Sequence, residues 1–195
     1  MRCRRARLVE NHGYVRFAFA DALKSMALVL NPIVIAEGMD PVYTLPDGTA
    51  LLIPVTLETL VSEAGWEFAK QVPEVRRFLQ VLGTEAVRDH LGENAWVDAL
   101  DLSIGRAGDP VNVVITDVRF PNEAEYVKDM GGTMLRISRL NVDGTPFDNG
   151  LSKDHPSEAH IASLPVDYDL IARTGELAKV FAAVDFIATD GAEVE

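Results

Sequence analysis

The sequence predicts a three-layer α/β fold around a parallel sheet with helices on both faces. The main observation is that short apolar runs of strand type alternate with amphipathic helix patterns in the second half of the chain, with short links between them. The length of 195 residues suits one compact domain. A composition of 48% hydrophobic and 25% charged residues excludes a disordered or collagen-like chain.

The first half predicts one strand, one hairpin and several helices. Residues 14–20 (YVRFAFA) are aromatic and β-branched, which predicts a buried strand. Asp21 can cap the helix that follows, and an Asn-Pro step at Asn31 stops that helix. Residues 42–53 place two apolar runs around Pro-Asp-Gly, which predicts a β-hairpin. We expect the next helix from about Leu57.

Two more helices are expected before the chain returns to strands. The apolar residues of 74–82 recur on one helical face. Gly83 is the expected end of this helix, because glycine is common just after a helix C-terminus. Thr84 can then cap a following helix, which carries Arg88.

The second half predicts strands separated by helices. The continuous apolar run VVIT at 113–116 is typical of a fully buried parallel strand. Pro121 begins a helix with glutamates near its start, where the helix dipole favours acids, and Gly131-Gly132 ends it. Residues 133–138 (TMLRIS) predict the next strand.

The end of the chain predicts a loop, a strand and a last helix. Residues 140–156 are polar and rich in Gly, Pro, Asn and Asp, which predicts a long mobile loop. Residues 168–172 (YDLIA) predict another strand. Thr174 is the expected cap of the final helix.

The charge of the chain excludes some classes of function. The net charge is −12, although four of the first seven residues are arginine. The rest of the chain has 14 Lys and Arg against 30 Asp and Glu. Because such an acidic body repels phosphate backbones, we expect no general nucleic-acid binding. A small phosphorylated substrate stays compatible, since a few arginines in a pocket can bind it.

Membrane and secreted classes are also disfavoured. No run of about 18 apolar residues is present, so we expect no membrane span. The basic start lacks the apolar stretch that a signal peptide needs. Cys3 is the single cysteine and cannot form an internal disulfide, which is typical of a reducing compartment. We therefore expect a cytoplasmic protein.

The segment ITDVRFPNE at 115–123 is the strongest candidate for chemistry. A predicted parallel strand ends at Asp117, and ligands of open α/β sheets bind beyond the carboxyl ends of strands. Asp117 and Arg119 project to the same side of an extended chain. A carboxylate beside a guanidinium can hold Mg²⁺ and a phosphate together. A surface ion pair at a strand end is the alternative interpretation, and the residues alone leave both open.

Three more arginines and one tryptophan flank the predicted strand ends. Arg88 follows the predicted helix start, and Arg139 stands where it can lean over a ligand from the loop. Arg136 lies further inside its strand, which favours a structural role. Trp96 could stack on a nucleobase or fill the core, and the core is the more frequent place for a lone Trp.

Other catalytic motifs are missing from the 195 residues. The histidines of the DHPSE segment at 154–158 and its neighbourhood match no zinc spacing, and we assign them to the loop. The chain has no G-x-S-x-G and no H-E-x-x-H. It also has no G-x-x-x-x-G-K-[ST] phosphate loop.

Taken together, these segments resemble the phage-type deoxynucleoside monophosphate kinases, P-loop enzymes related to adenylate kinase. DVRFPNE with its following Gly-Gly is the most specific piece, and GTEAVR followed by a Trp supports it independently. The matching segments occur in the order of the family, at residues 17–27, 82–97, 113–132, 135–139 and 154–158.

This resemblance implies a P-loop kinase-like fold and the transfer of the ATP γ-phosphate to a deoxynucleoside monophosphate, with Mg²⁺. The implied catalytic positions are Asp117, Arg119 and Arg139, with Asp117 as the candidate Mg²⁺ ligand. The implied substrate-binding positions are Asp21, Lys24, Arg88, Trp96, Glu123 and His155. The resemblance further implies one kinase-like domain over 1–195, a helical and hairpin insertion at about 31–110, and a lid-like loop at about 140–156.

The chain departs from the family at its start. Enzymes of this type begin with a strand and a glycine-rich phosphate loop, which have no counterpart in the 195 residues. In this fold the first strand lies between the strands at 113–116 and 133–138. Without it, we expect these two strands either to have unpaired edges or to pair directly, and we expect weak activity and marginal stability. A start codon assigned too far downstream and a true remnant are the two explanations.

Two hypotheses follow from the sequence. The first is a phage nucleotide-supply kinase that uses ATP and Mg²⁺ in the host cytoplasm, with a homodimer as a plausible assembly. The second is a non-catalytic nucleotide-binding remnant or interaction protein that keeps the monophosphate site. Neither hypothesis involves a membrane.

Overall fold

The computed structural model describes residues 2–34, 42–44, 50–52, 55–147 and 161–190. The chain forms two compact units, one of Met1–Phe19 with Val97–Glu195 and one of Ala20–Trp96. Both units mix helices and strands, so the α/β class is confirmed. Among the described helices, none combines the length and the apolar character that a membrane span requires.

The strands of the first unit form two parallel pairs. Strand β1 (Val15–Phe17) pairs with β6 (Val113–Ile115), and Phe17 lies opposite Ile115. Strand β7 (Leu135–Leu140) pairs with β8 (Tyr168–Arg173) over six residues. The parallel strands are therefore confirmed. In the described residues they form two separate pairs, and β6 and β7 do not pair with each other.

Helix α1 (Arg2–His12) comes first in this unit and α8 (Leu177–Asp190) comes last, and α8 contacts β8. Helix α1 packs against the last helix, α8, whose buried face joins Ala172 of β8 in one apolar cluster. A second cluster joins Ala124 to Met134 and Leu164. The helices are α1 (Arg2–His12), the start of α2 (Phe19–Leu30), most of α6 (Ala95–Arg106), α7 (Pro121–Asp129), a 3₁₀ turn (Ile161–Ser163) and α8 (Leu177–Asp190).

The end of α7 explains the Gly-Gly pair. The amide of Gly131 donates to the Lys128 carbonyl at 2.9 Å, and the amide of Gly132 donates to the Val127 carbonyl at 2.8 Å. These two bonds form a Schellman motif. Gly131 has a φ of +73°, and a Cβ on Gly132 would lie 2.7 Å from the Val127 carbonyl oxygen. Both positions therefore require glycine, and the predicted helix end is confirmed.

The second unit contains the predicted hairpin and most of the remaining helices. Strands β3 (Val42–Thr44) and β4 (Ala50–Leu52) pair antiparallel, which confirms the hairpin. Strands β2 (Ile33–Val34) and β5 (Val55–Thr56) form another antiparallel pair. Helix α3 (Leu57–Ala69) begins where expected, and the Thr56 hydroxyl caps it by accepting the Thr59 amide.

The prediction of a helix end at Gly83 and a new cap at Thr84 is wrong. Helix α4 (Pro73–Gln80) continues into a π-helix (Val81–Arg88) and a short α5 (Asp89–Leu91). The wider π turns keep the hydrogen-bond ladder intact through Gly83. Glycine is useful there for packing instead, since a Cβ would lie 3.3 Å from the Leu23 side chain.

Two further expectations about caps are corrected. Asp21 lies inside the first turn of α2, because the helix already begins at Phe19. Thr174 does not cap α8, which begins three residues later at Leu177. The Thr174 hydroxyl bonds to the end of β7 instead, where it donates to the Leu140 carbonyl at 3.1 Å.

The strands are also shorter, shifted and less buried than expected. The strand predicted at 14–20 is reduced to β1, since the chain turns helical at Phe19. Strand β6 is half-buried along its length, and Val15 of β1 is exposed. Each of these strands has one described neighbour, so each stands at the edge of its pair and is covered less than a central strand would be.

Candidate functional site

Asp117 lies where β1 and β6 both end. Its Oδ1 accepts the backbone amide of Phe19, the first residue of α2, at 2.9 Å. The Thr116 amide donates to the Phe17 carbonyl at 3.3 Å, which joins the two strand ends just before Asp117. The half-buried Asp117 carboxylate is thus fixed at the carboxyl edge of a parallel pair, with the positive end of the α2 dipole beside it.

Glu123 holds the backbone around Arg119. Its side chain is only 2% exposed, and its Oε2 accepts the amides of Arg119 at 2.8 Å and Phe120 at 3.2 Å. Because Glu123 is the third residue of α7 and Phe120 is the N-cap, this is the carboxylate half of a capping box. The Glu123 carboxylate therefore orients the Arg119 segment from within the protein.

Tyr126 of α7 lies beside the residue that holds Asp117. Its hydroxyl donates to Asp101 Oδ1 at 2.9 Å, and its ring meets the Phe19 ring edge to face at 6.5 Å. Burial and the hydrogen bond to Asp101 raise the pKa of Tyr126 to about 12. Tyr126 is thus a neutral donor at ordinary pH, and it packs against the residue whose amide Asp117 holds.

Arg139 lies at the carboxyl end of the second parallel pair. Its Nε donates to Thr174 Oγ1 at 3.1 Å, and its guanidinium carbon lies 3.9 Å from the centre of the Phe147 ring. Arg136, three residues earlier, bonds instead to Asp169 and to the carbonyls of Ile161 and Leu164. The predicted structural role of Arg136 agrees with these contacts, whereas Arg139 is exposed.

The start of the predicted lid loop is a compact turn. The Asn141 amide donates to the Thr145 carbonyl at 2.8 Å, and Asp143 Oδ1 accepts both the amide and the hydroxyl of Thr145. These bonds lower the pKa of Asp143. The Phe147 amide then donates to the Arg139 carbonyl at 3.2 Å, so the turn folds back along β7. The rest of the predicted lid, including His155, lies outside the described residues.

The second unit holds the other predicted substrate positions. Arg88 is 9% exposed, and its Nη1 donates to the Glu93 carbonyl at 3.1 Å. Trp96 is 5% exposed, and its indole N–H donates to the Gly83 carbonyl at 2.8 Å. The buried position of Trp96 agrees with the core interpretation of this residue. The π-helix thus carries Arg88 and accepts the bond that anchors Trp96.

Asp21 and Lys24 lie one turn apart on α2. Lys24 Nζ is 3.7 Å from Asp21 Oδ1, a helical ion pair of the i, i+3 type. The structure therefore brings the predicted residues together in separate groups. Asp117, Arg119 and Glu123 share one corner of the first unit, Arg139 stands at the end of β7, and the remaining described positions belong to the second unit.

The described residues contain no group of three His, Cys, Asp or Glu side chains that could hold a metal ion by themselves. Mg²⁺ in nucleotide sites is commonly bound by one or two carboxylates together with substrate phosphates and water. A single carboxylate at a strand end, such as that of Asp117, is compatible with that kind of site. An apolar pocket lined in part by Leu135, Tyr168 and Phe186 lies near the amino ends of β7 and β8, and Asp117 is not among its lining residues.

The sequence interpretation missed Phe147 and assigned Thr174 to another role. Both contact Arg139. An aromatic residue inside an otherwise polar loop was a usable signal for Phe147. Nothing in the local pattern distinguishes a Thr that caps a helix from a Thr that bonds to a neighbouring strand.

Residues 53–162, more than half of the chain, match the deoxynucleotide monophosphate kinase family. A deoxynucleoside-5'-monophosphate kinase of Escherichia phage T5 is 35% identical over 96 residues, which cover 49% of this chain and 38% of that protein. A putative deoxynucleotide monophosphate kinase of Acanthamoeba polyphaga mimivirus is 31% identical over 112 residues, 49% of this chain and 51% of its own.

The chain thus matches about two fifths to one half of the length of these curated relatives. The matched range 53–162 includes Asp117, Arg119 and Glu123, together with the π-helix and Trp96. The chain belongs to the deoxynucleotide monophosphate kinase family.

Proposed function

We propose that this chain acts in the transfer of the γ-phosphate of ATP to a deoxynucleoside monophosphate. An oxygen of the monophosphate attacks the γ-phosphorus, the bond from that phosphorus to the β–γ bridging oxygen breaks, and dNDP and ADP leave. The observation that carries the proposal is the corner in which Asp117 is fixed at two parallel strand ends and Glu123 orients Arg119. The family membership supports the same reaction.

The arrangement suits a reaction that depends mainly on position and charge. Phosphoryl transfer needs an in-line approach and neutralisation of the phosphate oxygens, and guanidinium groups supply two parallel donors for this purpose. In the proposal, Arg119 and Arg139 contact phosphate oxygens. Asp117 would help to hold Mg²⁺, which neutralises phosphate charge when it is bound.

The other predicted substrate positions keep their proposed roles. In the proposal, Arg88 binds the monophosphate, and Trp96 shapes its surroundings from the core of the second unit. Asp21 and Lys24 are proposed to act on the substrate side, and His155 is proposed to act from the lid-like loop. Glu123 acts through Arg119, since its Oε2 is engaged by backbone amides.

A second candidate is a nucleotide-binding protein without turnover. One observation favours it: the 195 residues carry no G-x-x-x-x-G-K-[ST] loop. The amides of such a loop and its lysine hold the β- and γ-phosphates in P-loop enzymes. We therefore expect low turnover from the 195-residue chain.

Binding and turnover distinguish the two candidates. Isothermal titration with each of the four dNMPs measures binding, and a coupled assay of ADP release with ATP, Mg²⁺ and each dNMP measures transfer. The kinase proposal expects dNMP-dependent ADP release, even if it is slow. Binding of a dNMP without ADP release supports the second candidate. If the chain shows no binding and no ADP release, both candidates are refuted.

A pair of arginine variants tests the site. Arg119→Gln removes the charge at the strand-end corner, whereas Arg106→Gln removes an exposed charge of α6 in the same unit. We expect Arg119→Gln to weaken dNMP binding at least tenfold and Arg106→Gln to leave it unchanged. Equal affinities in the two variants would remove Arg119 from the site.

A further inference from the structure

We propose that Phe147 and Thr174 are positioning residues that hold the guanidinium of Arg139 ready for a phosphate group. The inference rests on the proposed function, in which Arg139 contacts phosphate. Neither Phe147 nor Thr174 was assigned a role at the site by the sequence. Both belong to segments next to the end of β7, one in the loop and one just after β8.

The hydroxyl of Thr174 fixes one edge of the guanidinium. Thr174 Oγ1 donates its proton to the Leu140 carbonyl at 3.1 Å, which leaves its lone pairs to accept Nε–H of Arg139 at 3.1 Å. The Thr174 amide also donates to the Leu140 carbonyl, at 2.9 Å. The acceptor of the Arg139 bond is therefore itself held at a fixed place between the two strand ends.

The ring of Phe147 fixes one face of the guanidinium. The distance of 3.9 Å from the guanidinium carbon to the ring centre corresponds to a stacked cation–π contact. The ring is held there because the Phe147 amide donates to the Arg139 carbonyl, and because Leu140 and Pro146 form a β-bridge. The turn thus places the ring over the side chain of the residue to which its own backbone is bonded.

These two contacts leave the terminal nitrogens of Arg139 available. Within the described ranges, neither Nη1 nor Nη2 of Arg139 makes a hydrogen bond to the protein. Two carboxylates of the adjoining segments accept bonds from other residues: Asp143 accepts from Thr145, and Glu176 Oε2 accepts the Arg173 amide. The orientation of this guanidinium is fixed, but its Nη1 and Nη2 groups have no acceptor in the described ranges. It can therefore bind two phosphate oxygens with little further loss of side-chain conformational entropy.

Nuclear magnetic resonance can follow the position of Arg139 independently of any activity. In a ¹⁵N-labelled chain, the Nε–H signal of Arg139 is identified by its loss in Arg139→Gln. The ring of Phe147 shifts this signal, and the bond to Thr174 slows its exchange with water. We expect Phe147→Leu to remove the ring-current shift and Thr174→Val to speed the exchange, while Phe147→Tyr and Thr174→Ser preserve both.

The same variants are titrated with inorganic pyrophosphate as the probe. We expect Arg139→Gln to weaken its binding about tenfold, as for the loss of about 1.4 kcal/mol. Phe147→Leu and Thr174→Val should weaken it about threefold, and the two conservative variants should bind as the parent does. The exposed Arg106→Gln is the charge control, with an expected affinity equal to that of the parent.

Unchanged pyrophosphate affinity in Arg139→Gln, or in both Phe147→Leu and Thr174→Val, would overturn the inference. A changed Nε–H signal without a change in affinity would also overturn it, because Arg139 would then be held without serving a phosphate. If the pyrophosphate effects appear but no dNMP is bound or phosphorylated, the inference stands and the proposed kinase function fails.

Discussion

Removal of the Glu123 carboxylate is the perturbation whose effect follows most directly from the structure. The side chain is 2% exposed and accepts two backbone amides through one oxygen. Glu123→Ala leaves both amides without this acceptor at the start of α7. We expect the largest loss of stability among single substitutions in this corner, because water reaches a site of this burial poorly.

The magnitude can be worked from these two bonds. A hydrogen bond to a charged group contributes about 1.5–3 kcal/mol. The bond to Arg119 at 2.8 Å is short and the bond to Phe120 at 3.2 Å is longer, and both share Oε2. We therefore expect Glu123→Ala to lower the free energy of unfolding by about 3 kcal/mol. Glu123→Gln keeps an acceptor oxygen without the charge, and we expect a loss of about 1 kcal/mol.

Urea unfolding followed by far-ultraviolet circular dichroism measures these losses. Glu125→Ala is the matched control, since it removes an exposed glutamate from the same helix. We expect a change of less than about 0.5 kcal/mol for this control. A loss below about 1 kcal/mol in Glu123→Ala, or equal losses in the Glu123 and Glu125 variants, would refute the reasoning, because the two amides would then have other partners of equal quality.

Three further predictions concern other contacts. Tyr126 should titrate with a pKa of about 12, against the usual 10.0, because of burial and its bond to Asp101. Its contribution to stability is thus complete below pH 10 and lost as the pH rises through about 12, and absorbance at 295 nm against Tyr126→Phe checks this. The hydrogen bond from Arg7, and to a lesser extent the one from His12, lowers the pKa of Asp185 below its usual 3.8. The stability that the Asp185 carboxylate contributes is therefore present above pH 3.8 and is lost as the pH falls through the lowered pKa. The free energy of unfolding of Asp185→Asn should therefore fall less steeply in acid than that of the parent. Trp96→Phe removes the buried indole donor, and we expect thermal unfolding to show a loss of about 1–2 kcal/mol.

Much of the fold could be predicted from the sequence because its signals are local. The Gly-Gly end of α7 follows from backbone conformation and close approach at two adjacent residues. The hairpin at 42–53 follows from a turn between apolar runs, and its two strands pair as expected. The position of Asp117 at a strand end can be predicted from the apolar run before it and from the alternation of side chains along a strand.

Two of the failures come from interactions between distant segments, and one comes from an uncommon helix type. The local pattern predicts Asp21 as the cap of α2, but the helix begins earlier, at Phe19, whose amide Asp117 accepts from far along the chain. The pattern also predicts Thr174 as the cap of the last helix, but the Thr174 hydroxyl bonds to the neighbouring strand. The prediction of a helix end at Gly83 is wrong because a π-helix continues through a residue that usually ends an α-helix. For Asp21 and Thr174, a tertiary bond thus outweighed the local preference.

The candidate site contains two kinds of residues. Asp117 and Glu123 each satisfy backbone amides at the start of a helix, so their carboxylates would be needed for folding even in a protein without activity. The terminal nitrogens of Arg139 satisfy nothing within the described ranges, although its other contacts hold the side chain in one place. In the proposed function, this stabilised orientation serves a phosphate ligand. Arg139 is therefore a more discriminating test of binding than either carboxylate, since its loss should weaken a phosphate contact and leave the fold intact.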